Sequence, residues 1–279
     1  MSLPIATTEL SPQERAQLRW AWKQLEHPSL AARLSHVVGA PIEMGLKLIP
    51  RQWNARIQYL VETNIRRTLD LTLATSTQLN AEQFSNGMHK AAVMGSGAVG
   101  GFFGPAGLLV DLPITTALML NAIATIAQRN GEDLSTTEAR LACLEVFALG
   151  GRSKADDAAE TGYYGLRLTL SLHLAGFLDN LLNGVETPVA MKFIQAIAAR
   201  FGVVVTDKAA AQLTPVVGAI GGATINLLFM QHFQDMASGH FKIRHLERKY
   251  GLDTIRAEYE KIQREEDAKR YRHSNLEGW

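Results

Sequence analysis

His232, Asp235 and His240 fall within nine residues of one another. Imidazoles and a carboxylate at such spacing can ligate a divalent metal or exchange protons. His232 and Asp235 stand one helical turn apart; His240 lies two turns beyond His232, but Gly239 is expected to end the helix before it. Glu145, in Leu144-Glu145-Val146-Phe147, is a carboxylate in an apolar run. Asp111 is the lone charge between two apolar runs, just ahead of Pro113. A charge there must face water, a partner cation or a helix N-terminus, because isolated burial is too costly. Glu145, Asp111, His232, Asp235 and His240 are thus the candidates for a metal-assisted hydrolase. The competing reading makes them satisfied polar groups of helix ends and ion pairs. A second polar block, Arg152, Lys154, Asp156, Asp157, Glu160, Tyr163, Tyr164 and Arg167, reads as an ion-pair network or the wall of a site.

The elements that carry these groups are helices. Ser11-Pro12-Gln13-Glu14 is a capping box with proline at the first helical position, and His27-Pro28 stops the helix it opens. From residue 51 to 79, Ile57, Leu60, Val61, Asn64, Ile65, Thr68, Leu69 and Thr72 recur at three- and four-residue steps, the pattern of an amphipathic helix. Ser135-Thr136-Thr137-Glu138 is a second capping box, and Thr187-Pro188 opens a helix reaching Arg200. Gly202-Val203-Val204-Val205 is the one short β-branched run, and no hairpin pair accompanies it. The expected fold is all-α, a single helical domain. Its expected parts are an N-terminal helical extension (1–50), a helical body (51–251) and a charged C-terminal helix and tail (252–279).

Two stretches approach the length of a membrane span: residues 91–110, 20 residues without a charge, and residues 209–234, 26 residues without one. Gly, Ala, Ser and Thr dilute both, and Pro105 and Pro215 interrupt them. Gly97 and Gly101, Gly100 and Gly104, and Gly218 and Gly222 repeat at four residues, which puts each pair on one helix face. Glycine disfavours a helix interior by about 1 kcal/mol relative to alanine. Close helix–helix approach is the compensating gain, in a membrane hairpin or in a tight core. Two glycine-rich apolar hairpins, packed in the core or against a membrane, are therefore expected.

Composition removes several functions. Lys plus Arg number 28 against 27 Asp plus Glu, a balance that argues against nucleic-acid binding over a basic face. One cysteine, Cys143, excludes an internal disulfide framework and a cysteine zinc cage. Gly95 to Gly100 has the glycine spacing of a dinucleotide loop, but neither a strand before it nor an acidic residue twenty positions on. No cofactor or metal is expected. Residues 1–10 lack a basic-then-apolar leader, so the expected location is cytoplasmic, on or in the inner face of the cytoplasmic membrane.

Ordered motifs then resemble one family. Leu144 to Gly150, Gly162-Tyr163-Tyr164 with Arg167, and Arg200-Phe201-Gly202-Val203 resemble the bacterial EcsC family. So do Lys208 to Gln212, Pro215 to Ala219, Asn226, His232-Phe233-Gln234, Gly239-His240-Phe241 and Arg248 to Gly251, with the run from Gly97 to Pro113. The resemblance spans about residues 56–251. It implies a bacterial, helical, membrane-associated protein; the family name comes from genetic association with an ABC transporter, and no catalytic residue carries over. The expected function is a non-catalytic protein that contacts a membrane surface, a lipid or an apolar ligand, accessory to transport or secretion, with a protein partner as a further expectation. The alternative is the metal-assisted hydrolase.

Overall fold

The computed structural model describes residues 9–26, 29–39, 41–74, 108–151, 162–182, 188–213 and 222–276. Within them the chain forms ten helices and no strand: α1 (Pro12–Glu26), α2 (Leu30–Val38), α3 (Ile42–Leu48), α4 (Arg51–Ala74), α5 (Leu108–Arg129), α6 (Thr137–Leu149), α7 (Tyr163–Leu182), α8 (Pro188–Leu213), α9 (Gly222–Tyr250) and α10 (Leu252–Leu276). The all-α expectation holds.

Local signals set several boundaries. Glu14 N–H donates to Ser11 Oγ at 3.2 Å and Ser11 N–H donates back to Glu14 Oε2 at 3.2 Å, so both free donors of the first turn are satisfied. The second capping box is displaced by one residue. Thr136, not Ser135, caps α6, its hydroxyl accepting from Ala139 N–H at 3.2 Å, while Ser135 N–H donates to Asp133 Oδ1. In α4, Ile57, Val61, Asn64, Ile65, Thr68, Leu69 and Thr72 are all buried, as their periodicity requires.

Helices α8 and α9 form the centre. Helix α8 packs on α2, α3, α4, α6, α7 and α9, and α9 on α1, α2, α5, α6, α8 and α10. Where they meet α6, Phe147, Phe201, Phe229 and Phe233 interlock, with ring centroids 5.0 Å apart for Phe147–Phe201 and 5.3 Å for Phe229–Phe233. Helix α6 is buried from Ala139 to Leu149, the surroundings of a helix apolar on every side. The Cys143 thiol lies inside it, its pKa pushed up by burial.

Tertiary packing overrides two local readings. Residues 202–205 lie within α8, where Val204 and Val205 are buried in the core. The β preference of valine is weak against such burial. Helix α9 runs unbroken through Gly239, which places His240 on the same helix as His232. A Cβ at Gly239 would lie 2.9 Å from Ala21 O and from Leu25 Cγ, so glycine there admits α1 to close contact. The break comes instead at Gly251, with φ 87, between α9 and α10.

The described part of the second uncharged run belongs to the core: Ala209, Ala210 and Ala211 in α8, and Ile225, Phe229 and Phe233 in α9 are buried. Among the described residues no helix is long and apolar enough to cross a membrane. Gly97, Gly100, Gly101, Gly104 and Gly218 lie outside the described residues, and Gly222 opens α9 in a buried position.

Candidate functional site

Four of the five chemical candidates are held by separate partners. A helix turns about 100° per residue, and α9 presents His232, Asp235 and His240 to three different neighbours. His232 Nε2 lies 2.9 Å from the Gly150 carbonyl after α6, so it carries the proton and donates it. Asp235 accepts from Arg33 Nη1 of α2 at 2.6 Å. His240 Nδ1 and the Tyr163 hydroxyl of α7 are hydrogen-bonded at 3.0 Å. Glu145 is buried on α6; burial raises its carboxyl pKa, and the Arg167 and Arg244 guanidiniums oppose the rise. Among the described residues no three His, Cys, Asp or Glu side chains converge to hold a metal.

Burial keeps His232 and His240 neutral, lowering His232 from 6.5 to about 4 and His240 well below its ordinary value. The unfolded chain, whose histidines titrate normally, therefore takes up protons first as pH falls. Stability is full above pH 6.5 and declines towards pH 4, His232 accounting for on the order of 3 kcal/mol. Urea midpoints across this range should fall less steeply for His232→Gln than for the parent. Parallel slopes would remove His232 from the account.

The second polar block is described from Tyr163 onward; Arg152, Lys154, Asp156, Asp157 and Glu160 lie outside the described residues. Arg167 Nη1 donates to Glu247 Oε1 of α9 at 2.6 Å, the Tyr164 hydroxyl donates to the same oxygen at 2.9 Å, and the guanidinium lies 5.3 Å from the Tyr163 ring centroid. Arg244 grips Glu132, in the α5–α6 turn, through Nε at 2.9 Å and Nη2 at 3.2 Å. These contacts fasten α7 and the α5–α6 turn to α9, an ion-pair network of the kind the sequence allowed.

Of the three settings open to Asp111, the structure gives it a partner cation, in the first turn of a helix. In the first turn of α5 its carboxylate is 2 % exposed and takes the Lys208 ammonium of α8 on Oδ2. On Oδ1 it accepts from Asn226 Nδ2 of α9 at 3.0 Å. Lys208 and Asn226 are fully buried, and Lys208 Nζ sits 4.6 Å from the Phe229 ring centroid. Thr115 and Thr116, one turn along α5, return their hydroxyls to their own backbone at Asp111 and Leu112. Three helices thus meet on one carboxylate, where the described parts of both glycine-rich runs begin or end.

The outer surface holds a feature on helix α3. Helix α3 turns Ile42 and Gly45 inward against α8, where a Cβ on Gly45 would lie 2.1 Å from Ala210 O. It turns Met44, Leu46 and Leu48 outward, 54 %, 37 % and 53 % exposed, beside exposed Lys47. On α4, Tyr59 is exposed, and the Arg56 guanidinium lies 5.7 Å from the Trp53 ring centroid. The available signal was apolar residues at consecutive even positions, 44, 46 and 48, more than one helix face can bury.

Comparison with characterised proteins and with solved structures finds no match. The sequence profile of the EcsC protein family matches residues 13–246, most of the chain, including α1 to α8 and most of α9. With the ordered motifs from Leu144 to Tyr250 placed on that helical body, the chain belongs to the EcsC protein family.

Proposed function

We propose that this protein is a non-catalytic, membrane-associated helical protein that lies on the inner face of the cytoplasmic membrane, contacts lipid through apolar side chains, and acts as an accessory to transport or secretion. The observation that carries this reading is helix α3. It is anchored on one side by Gly45 against Ala210, and it holds Met44, Leu46 and Leu48 out on the other. A core-forming helix would bury them. Lys47 of α3, and Trp53, Arg56 and Tyr59 of α4, which follows it in the chain, supply the cations and amphipathic rings favoured at a bilayer surface. In the sequence, the uncharged glycine-rich residues 91–107, ahead of α5, and 214–221, between α8 and α9, supply further apolar residues.

Sedimentation with vesicles of phosphatidylcholine and phosphatidylglycerol tests the reading. The parent protein should pellet with vesicles. The pair Met44→Asp and Leu48→Asp should weaken partitioning at least about tenfold, since each side chain contributes roughly 1.5–3 kcal/mol when fully removed from water. Leucine at Gly97, Gly101 and Gly218 should weaken it too if those runs share in the contact. Protein that stays in the supernatant at every lipid concentration would overturn the proposal.

A further inference from the structure

We propose that Lys208 and Asn226 become joined by an intramolecular isopeptide bond, formed between Lys208 Nζ and Asn226 Cγ with release of ammonia and with Asp111 as the proton carrier. Three observations place the groups for it. One Asp111 carboxylate holds both reactants, Lys208 Nζ on Oδ2 and Asn226 Nδ2 on Oδ1 at 3.0 Å. The amine also rests 4.6 Å from the centroid of Phe229, which stands three residues along α9 from Asn226 and so on the same face. All three groups are sealed from water, at 0 % for Lys208 and Asn226 and 2 % for Asp111.

That setting changes the chemistry of each group. An ammonium is poorly solvated in a dry, aromatic-lined interior, and burial pushes the Lys208 pKa down, towards the neutral amine that is the nucleophile. Holding amine and amide on the two oxygens of one carboxylate replaces a bimolecular encounter with an intramolecular one, the largest advantage open to a slow condensation. In the step itself, the Nζ lone pair forms a bond to Cγ of Asn226. Asp111 takes the two protons that the Lys208 ammonium sheds, one to free the lone pair and one as the bond forms, and passes them to Nδ2; the Cγ–Nδ2 bond breaks, and ammonia departs in its protonated form. The products are one secondary amide and one ammonia, leaving as ammonium, with Asp111 again a carboxylate and no oxidant, reductant or other reactant consumed. The buried amine becomes a neutral amide, and α8 and α9 become covalently tied across residues 214–221 of the chain. This inference is independent of membrane attachment.

Intact-mass spectrometry of the full-length protein under denaturing conditions tests it. The expected mass is that of the sequence less one ammonia, and the tryptic map should show Lys208 uncleaved and its peptide joined to the one containing Asn226. Asp111→Asn should restore the full sequence mass. Three results would overturn the proposal: the full mass in the parent, loss of water in place of ammonia, or ammonia lost at Asn226 while trypsin still cuts at Lys208. A cross-link that persists in Asp111→Asn would overturn the role given to Asp111. The parent measurement needs no variant to fold.

Discussion

Lys208→Met is expected to destabilise the protein by about 3–5 kcal/mol, because it removes the Lys208 nitrogen that the buried Asp111 carboxyl faces, as the ion pair or as the cross-linked amide. The substitution leaves the Asp111 carboxyl, 2 % exposed, facing the Asn226 amide with its principal partner gone. Methionine fills much the same volume, so the loss reports electrostatics more than a cavity. For a chain of this size the melting temperature should drop by about 10 °C. Lys269→Met is the control. Lys269 pairs with Glu266 at 2.7 Å in a contact of the same chemistry, but its side chain is 57 % exposed. A solvated pair contributes about 0–1 kcal/mol, so that variant should melt near the parent. If both lysine variants unfold at the same urea concentration, the buried carboxylate is not the junction described.

Gly45→Ala should be nearly as damaging, by about 3 kcal/mol, although it adds a single methyl group. The new Cβ would lie 2.1 Å from Ala210 O and 2.6 Å from Ala210 C. Both are backbone atoms inside α8, which cannot rotate away as a side-chain tip would. Helix α3 must lift from α8, and with it the outward set of Met44, Leu46 and Leu48. Gly162→Ala provides the comparison, because a Cβ there meets nothing within 4 Å. It should change stability by less than about 0.5 kcal/mol. Equal melting curves for the two alanine variants would show that α3 does not depend on this close approach.

The candidate chemistry was partly legible. The sequence required a partner for Asp111 without naming it, and Lys208 stands 97 positions away and Asn226 115. His232 and Asp235 were rightly placed a turn apart on a helix. Their partners, the Gly150 carbonyl and Arg33, belong to α6's end and to α2, and no spacing within α9 predicts them. A metal site would have needed these groups to face one another, and the separate neighbours that they engage direct them apart.

By itself the sequence determined the helical class, the family, and those boundaries whose chemistry is local. The Ser11–Glu14 capping box, the stop before Pro28 and the buried stripe of α4 each follow from interactions within a few residues. Tertiary structure alone decided what lies between helices: the passage of α9 through Gly239, the helical state of residues 202–205, the outward apolar face of α3, and the meeting of three helices on Asp111. The reason is one of energy scale. Local preferences are worth about 1 kcal/mol or less per residue, while burying a large side chain or pairing an interior charge is worth several. Where the two disagree, packing prevails.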